Sequence, residues 1–317
     1  MPLNTTKERF LGNSKNKNRF INLLCKKMAE NNIEWSQAES DADRLIVQSA
    51  IDSSFPHVVV VAEDIDVLVL LMALAPDDKE MFFLKPLKNN ALQRVYSTKT
   101  MLQKYVNIKK EHLFFIHAFT GCDTTSAFYN KGKNSFIKIF NDDQKLRTAA
   151  KNFMVEEQSE EVLFNEGINC ILIMYGAKTA KNLNELRYKR FIALASKNKS
   201  VQLSSLPPTE NAAKQHIKRV YLQVQQWKNN SSIPPEEWGW QQDDYLKPIK
   251  MTQSAAPKNV LKIIFCGCKT GCGAACGCRK SGLHCSPACI VCSGSDCNNH
   301  PPFEEDEVTE TQNINDI

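Results

Sequence analysis

The sequence predicts an α/β fold, a parallel sheet flanked by helices, followed by a helical extension and a small cysteine-rich zinc module. A continuous β-branched run over His57–Ala62 is typical of a strand that is buried on both faces of a parallel sheet. Apolar patterning predicts helices over 161–175, 183–196 and 210–228. Nine of the twelve cysteines fall near the C-terminus at spacings that suit metal ligands.

Composition divides the chain into six stretches. In order they are an Asn/Lys-rich segment (1–30), an α/β domain (31–145), a helical extension (146–228), a linker with tryptophan and proline (229–260), the zinc domain (261–299) and an acidic tail expected to be disordered (300–317). The tryptophans Trp227, Trp238 and Trp240 lie close together at and within the linker, which predicts that the linker is docked on other parts of the protein.

Composition and charge narrow the class of protein. Net charge is +5, with 42% apolar and 24% charged residues, which permits but does not require contact with nucleic acid. The longest apolar run, Val58–Ala75, contains Glu63, Asp64 and Asp66, so we expect no transmembrane helix. An N-terminus without an apolar leader, together with a thiol cluster, predicts a reducing compartment, the nucleus or cytoplasm, and no secretion.

Carboxylates lie at the ends of predicted strands and helices in the first half of the chain. They are Asp41 and Asp43 before a helical run, Asp64 and Asp66 after the strand, and Asp123 after a glycine, where a further helix is expected to open. If they converge at the carboxyl edge of the sheet, they could hold Mg2+ for in-line hydrolysis of a phosphodiester. The alternative is structural, because Asp64 suits a helix N-cap, and Asp41 and Asp43 suit a helix start.

The order of these motifs resembles the PIN-like, flap-endonuclease type of nuclease core. Asp41–Asp43 takes the place of the family's first acidic pair, Glu63–Asp66 matches strand-E-D-x-D-helix, and Gly121–Asp123 matches G-x-D. The resemblance implies two Mg2+ ions at these carboxylates and duplex-DNA contact near Lys131–Lys133 and Lys138. The family's first strand with its aspartate has no counterpart, so the catalytic set looks incomplete: the chain is either a fragment or the descendant of a nuclease that lost part of its site.

The cysteines near the C-terminus have a spacing of C-x-C-x3-C-x3-C-x-C-x6-C-x3-C-x2-C-x4-C. They are Cys266, Cys268, Cys272, Cys276, Cys278, Cys285, Cys289, Cys292 and Cys297. Tetrahedral zinc takes four ligands, so nine thiolates complete three zinc sites if three of them bridge two metals each. A disulfide framework is disfavoured because nine is odd and because C-x-C pairs in extended chain fit disulfide geometry poorly.

This segment resembles the tesmin/TSO1-type CXC domain over about 261–299. The paired C-x-C units and the basic residues Lys269, Arg279 and Lys280 carry the resemblance. It implies a unit of three zinc ions and nine thiolates, and contact with DNA through the basic residues. Ala274 and Ala275 stand where DNA-reading members carry a tyrosine, so we expect a tether to DNA more than a sequence reader.

Together with TGCDTTSAF, the zinc segment resembles a group of transposon-derived animal proteins. Two functions stay open from the sequence. One is a nucleic-acid-associated zinc protein whose nuclease-like domain hydrolyses phosphodiesters with Mg2+, tethered to DNA by the zinc module. The other is a non-catalytic adaptor that binds DNA, chromatin or another protein and whose acidic residues are structural. DNA is the expected partner in the first case, and the sequence identifies no protein partner.

Overall fold

The computed structural model describes most of the chain. The described residues are 6–38, 42–86, 94–103, 105–177, 180–197, 203–230, 233–251, 266–269, 271–280, 282–285, 289, 291–294 and 297–299. They form a mixed α/β structure with a small sheet and a cysteine cluster near the C-terminus. The chain divides into two compact units, residues 1–98 and 99–317. No helix among the described residues is long and apolar enough to cross a bilayer.

The described residues of the first unit form four helices and three strands. They are α1 (Lys7–Leu11), α2 (Ser14–Glu30), α3 (Asp43–Asp52), β1 (His57–Val61), α4 (Ile65–Leu74), β2 (Glu80–Lys85) and β3 (Arg94–Ser97). Strand β1 pairs in parallel with β2, and α4 forms the crossover between them. Strand β3 pairs antiparallel to β2, so the sheet of the described residues has the order β1-β2-β3 and is mixed. The predicted parallel pairing is therefore confirmed for β1 and β2 and wrong for β3, and the PIN-like core stays a prediction.

Helices cover one face of this sheet, whereas the residues of β1 on the other face are exposed. Val60, Met81 and Phe83 are buried on the face that α3 and α4 cover. Val59 and Val61 point to the opposite face and are 53% and 61% exposed. The predicted strand is present at His57–Val61, but the prediction that both its faces are buried is wrong, because both helices pack on the same side.

Helix α2 is amphipathic but has no buried residue. Phe20, Leu24 and Met28, spaced four residues apart, share one side of the helix and are 44%, 44% and 38% exposed. The opposite side carries basic residues, among them Lys15, Arg19 and Lys26, so the helix combines an exposed apolar stripe with a cationic face.

The described residues of the second unit that precede the cysteine cluster are mostly helical. Its helices are α5 (Leu113–Thr120), α6 (Lys133–Asp142), α7 (Gln144–Met154), α8 (Glu160–Met174), α9 (Leu183–Lys197), α10 (Glu210–Trp227) and α11 (Gly277–Lys280). The helices predicted over 161–175, 183–196 and 210–228 are confirmed as α8, α9 and α10. Helix α5 is the centre of the unit, because every residue from Phe114 to Thr120 is buried among its neighbours.

Aromatic contacts and a glycine set the packing of these helices. The Phe115 ring stacks on Phe119 at 5.1 Å between centroids and contacts Phe153 at 4.8 Å. Where α8 crosses α10, a Cβ on Gly167 would lie 2.5 Å from Ile217 Cγ1. The two backbones can therefore approach this closely only because residue 167 has no side chain.

The described part of the linker packs against helix α10, as the group of tryptophans in the sequence led us to expect. A short 3-10 helix, Pro235–Glu237, precedes a hairpin of β4 (Trp240–Gln242) and β5 (Leu246–Pro248). The Trp238 ring lies 4.5 Å from the Tyr221 ring of α10, centroid to centroid. Residues 252–260 of the linker and the acidic tail from 300 onward lie outside the described residues.

Candidate metal centre

All nine cysteines predicted as ligands lie together in one cluster at the end of the second unit. Seven of the nine side chains are buried, and Cys268 and Cys297 are partly exposed. Leu283 and Val291 pack against the sulfurs from outside. This small domain therefore has cysteines where an ordinary domain has an apolar core, which is typical of a fold that a metal completes.

The sulfur atoms lie at, or somewhat inside, the separation expected of two thiolates on a shared metal. Cys266 Sγ lies 3.2 Å from Cys289 Sγ and 3.4 Å from Cys272 Sγ, and Cys276 Sγ lies 3.7 Å from Cys285 Sγ. Two thiolates on one tetrahedral zinc, each about 2.3 Å from the metal, lie about 3.8 Å apart. A disulfide would need about 2.05 Å between sulfurs, and none of these nine described cysteines forms one. The donor set fits zinc.

Three groups of four cysteines have all their sulfurs within 4.8 Å of one another. The first group is Cys266, Cys268, Cys272 and Cys276; the second is Cys266, Cys276, Cys278 and Cys285; the third is Cys272, Cys285, Cys292 and Cys297. These twelve positions use eight cysteines, because Cys266, Cys272, Cys276 and Cys285 each belong to two groups. The ninth, Cys289, lies 3.2 Å from Cys266 and 3.5 Å from Cys272, sulfur to sulfur.

Tight turns aim backbone N–H groups at some of these sulfurs. Burial raises the pKa of the Cys276 thiol, but the N–H group of Arg279 and other donors outweigh burial and hold that pKa at about 6. At Cys289 burial raises the pKa, but the N–H groups of Cys292 and Val291 and the neighbouring thiols together outweigh burial and hold that pKa at about 6. Hydrogen bonds to sulfur favour the thiolate, which is the form that binds a metal.

The second C-x-C pair is not in the extended chain that the sequence suggested. Cys276 accepts a hydrogen bond through its carbonyl from the Lys280 N–H at 3.0 Å, and Cys278 lies inside the short helix α11. The helical turn brings both sulfurs into the same four-cysteine group. The expectation of extended geometry at this pair is therefore wrong, although the two cysteines still share a candidate site.

Two residues that sequence reasoning missed lie beside the cluster. The Asn299 amide donates to the Leu283 carbonyl at 2.9 Å and to Cys285 Sγ at 3.5 Å, so it holds the chain closed around a candidate ligand. Tyr188 of α9 lies near Cys278 and Cys285, and burial and then these two thiols raise its pKa. An asparagine two residues after the last cysteine is a weak sequence signal, and Tyr188 gives none.

The basic residues predicted to contact DNA lie on the outside of the cluster. Lys269 is exposed, and Arg279 and Lys280 are exposed in the last turn of α11. The cluster thus has sulfur inside and positive charge outside, an arrangement compatible with phosphate contacts.

Three of the five predicted carboxylates come together in the first unit. Oxygen atoms of Asp43, Asp64 and Asp66 lie within 4.8 Å of one another, with Asp64 exposed and the other two partly exposed. Asp43 begins α3, and Asp64 caps α4 by accepting the Asp66 N–H at 2.9 Å. The structural explanation of Asp64 as an N-cap is therefore confirmed.

The other two carboxylates do not join this group in the described structure. Asp41 lies outside the described residues. Asp123 belongs to the second unit, where it is exposed in a turn that follows Gly121. The next helix begins only at Lys133, so the prediction that Asp123 opens a helix is wrong.

No protein-family model, no curated protein and no solved structure matches this chain. The assignment of the site therefore depends on its chemistry. The described residues establish a buried cysteine cluster that can hold metal ions and is compatible with zinc.

Proposed function

We propose that this chain is a nucleic-acid-associated zinc protein, active in the nucleus, whose cysteine cluster holds three zinc ions and tethers the protein to DNA. The observation that carries the proposal is the overlap of the three four-cysteine groups. Shared thiolates are what allow nine cysteines to complete three tetrahedral sites, as in the CXC domain that the spacing resembles. When bound, the zinc supplies folding free energy to a segment whose core is otherwise thiols.

DNA contact is assigned to the exposed cations around the cluster. Replacing Lys269, Arg279 and Lys280 together with glutamine should weaken binding to duplex DNA and flatten its salt dependence. Each phosphate contact contributes about 0.9 to the slope of log K against log salt, so the slope should fall by up to about 2.7. Fluorescence anisotropy at several salt concentrations measures this.

The matched control is Lys151→Gln, which removes an exposed charge from α7. A control that weakens DNA binding as much as the triple variant would contradict the assigned surface. Wild-type protein whose zinc is removed by a chelator should lose the same affinity, because the basic residues are positioned by the folded cluster.

The first unit supports a second element of the proposal, a divalent-cation site for phosphodiester hydrolysis. Asp43 and Asp66 supply carboxylate oxygens at the starts of two helices, next to Asp64. A cation there would neutralise the clustered charge and could bind a phosphate oxygen. Cleavage of branched and single-stranded DNA with Mg2+ or Mn2+ is the assay, and Asp66→Asn should reduce the rate by more than roughly tenfold.

Asp78→Asn is the control for this assay, because Asp78 is exposed and lies outside the carboxylate group. Equal background cleavage by wild type, Asp66→Asn and Asp78→Asn would rule out the proposed enzymatic function. DNA binding without cleavage would then favour the alternative, a non-catalytic adaptor. The capping role of Asp64 is the observation that favours this alternative.

A further inference from the structure

Three basic side chains surround Tyr175 in the helical part of the second unit. Lys131 Nζ lies 5.5 Å from the centre of the Tyr175 ring. Arg190 donates to the Tyr175 carbonyl at 2.6 Å, and Arg187, one turn earlier on α9, donates to the Pro207 carbonyl at 2.5 Å. The three cations thus come from a loop and a helix that are distant in sequence, and backbone carbonyls fix both guanidinium groups.

No carboxylate among the described residues pairs with these three cations. Burial lowers the pKa of the Lys131 ammonium, and the positive charge of Arg190 lowers it further. Burial also lowers the pKa of the Arg187 guanidinium. Partly buried charges of one sign without a counter-charge raise the free energy of the folded state. Binding of an anion would neutralise these charges and is therefore favourable.

The three side chains retain hydrogen-bond donors that could hold such an anion. Each guanidinium has five N–H donors and uses one on a carbonyl of the described residues. The Lys131 ammonium adds three more donors. The buried Tyr175 ring forms an apolar wall beside them, which strengthens electrostatic attraction by excluding water.

We propose that Lys131, Arg187 and Arg190 form a binding site for a phosphate group. Two guanidinium groups can bind phosphate oxygens through paired N–H donors, and the lysine adds a point charge beside the Tyr175 ring. This site rests on the proposed function, because that function identifies the phosphate as a phosphodiester of a nucleic acid. The site is separate in sequence from the cations around the cysteine cluster.

The test uses the full-length, zinc-loaded protein and two probes, inorganic phosphate and a fluorescent single-stranded oligonucleotide. Calorimetry measures phosphate affinity, and anisotropy measures oligonucleotide affinity. Lys131→Met keeps the aliphatic contact with Tyr175 and removes the charge, and it should weaken phosphate binding about tenfold or more. Without phosphate, this variant should be at least as stable as wild type, because the repulsion from Arg190 is gone.

Lys145→Met is the matched control, since Lys145 is exposed on α7, and it should bind phosphate as wild type does. Arg190→Gln is the second variant and should lose phosphate affinity as Lys131→Met does. Phosphate affinity that is absent in wild type, or equal in wild type and Lys131→Met, overturns the site. Phosphate binding that depends on Lys131, with no oligonucleotide binding in wild type, supports the site and overturns a nucleic acid as the source of its phosphate.

Discussion

Replacing Cys272 with serine should remove more zinc than replacing Cys268. Cys272 belongs to two of the four-cysteine groups, and Cys268 belongs to one. Serine binds zinc poorly, so Cys268→Ser leaves one group with three sulfurs, whereas Cys272→Ser leaves two. From about three zinc ions per chain in wild type, we expect about two in Cys268→Ser and about one in Cys272→Ser.

The energetic consequence should follow the same order. A structural zinc contributes on the order of 10 kcal/mol of apparent binding free energy, comparable to the whole stability of a domain. Losing two ions should therefore unfold the segment from Cys266 to Asn299, while losing one should leave it partly structured. Native mass spectrometry gives the zinc count, and proteolysis of this segment reports its folding.

Cys25→Ser serves as the control, because Cys25 lies in α2, outside the cluster, and should leave the zinc count unchanged. The bridging arrangement is refuted if Cys268→Ser and Cys272→Ser lose the same amount of zinc. It is also refuted if wild-type protein binds two zinc ions or fewer.

Two further predictions concern the helical part of the second unit. Gly167→Ala should destabilise it by about 1–3 kcal/mol in urea unfolding, because the new Cβ would lie 2.5 Å from Ile217 Cγ1. Adding Ile217→Ala should recover part of that loss relative to Ile217→Ala alone, and no coupling between the two changes would contradict the close crossing. Burial holds the pKa of His216 at about 4, and its Nε2 donates to the Phe119 carbonyl at 3.1 Å. Because the unfolded histidine takes its proton at higher pH, His216 contributes roughly 3 kcal/mol above pH 6.5, and this is lost as pH falls toward 4. His216→Gln should flatten that part of the curve of unfolding free energy against pH, and an unchanged curve would exclude His216 as the cause.

The sequence predicted the local elements well because their signals are local. The run His57–Val61 is a strand, and Asp64 caps the next helix, since β-branched residues and a capping aspartate act within a few residues. Whether the second face of that strand is covered depends on which side the helices pack. A β-branched run looks the same in both cases, so the exposure of Val59 and Val61 was not predictable from it.

The candidate sites likewise combine features that the local sequence predicts with features that depend on how the chain folds. Cysteine spacing predicted a thiolate cluster, but the sharing of Cys266 and Cys285 between groups depends on how the loops fold back. The turn at Asp123 was missed because hydrogen bonds of the Thr125 side chain, which the residue pattern does not reveal, decide it. The Thr125 hydroxyl donates to the Ala118 carbonyl at 2.6 Å and accepts the Cys122 N–H at 3.0 Å, which stabilises a turn where a helix start was expected.

Helix α2 is stabilised by little besides its own backbone. None of its 17 residues is buried, and its cap is the Asn13 side chain, which accepts two backbone N–H groups. Isolated helices shorter than about 12–15 residues are marginal in water, and one of this length is only slightly better. We therefore expect the helix to open locally and its amide protons to exchange with solvent sooner than those of the sheet. A molecule that binds over Phe20, Leu24 and Met28 would raise the helical population. Its binding and the formation of the helix are therefore coupled.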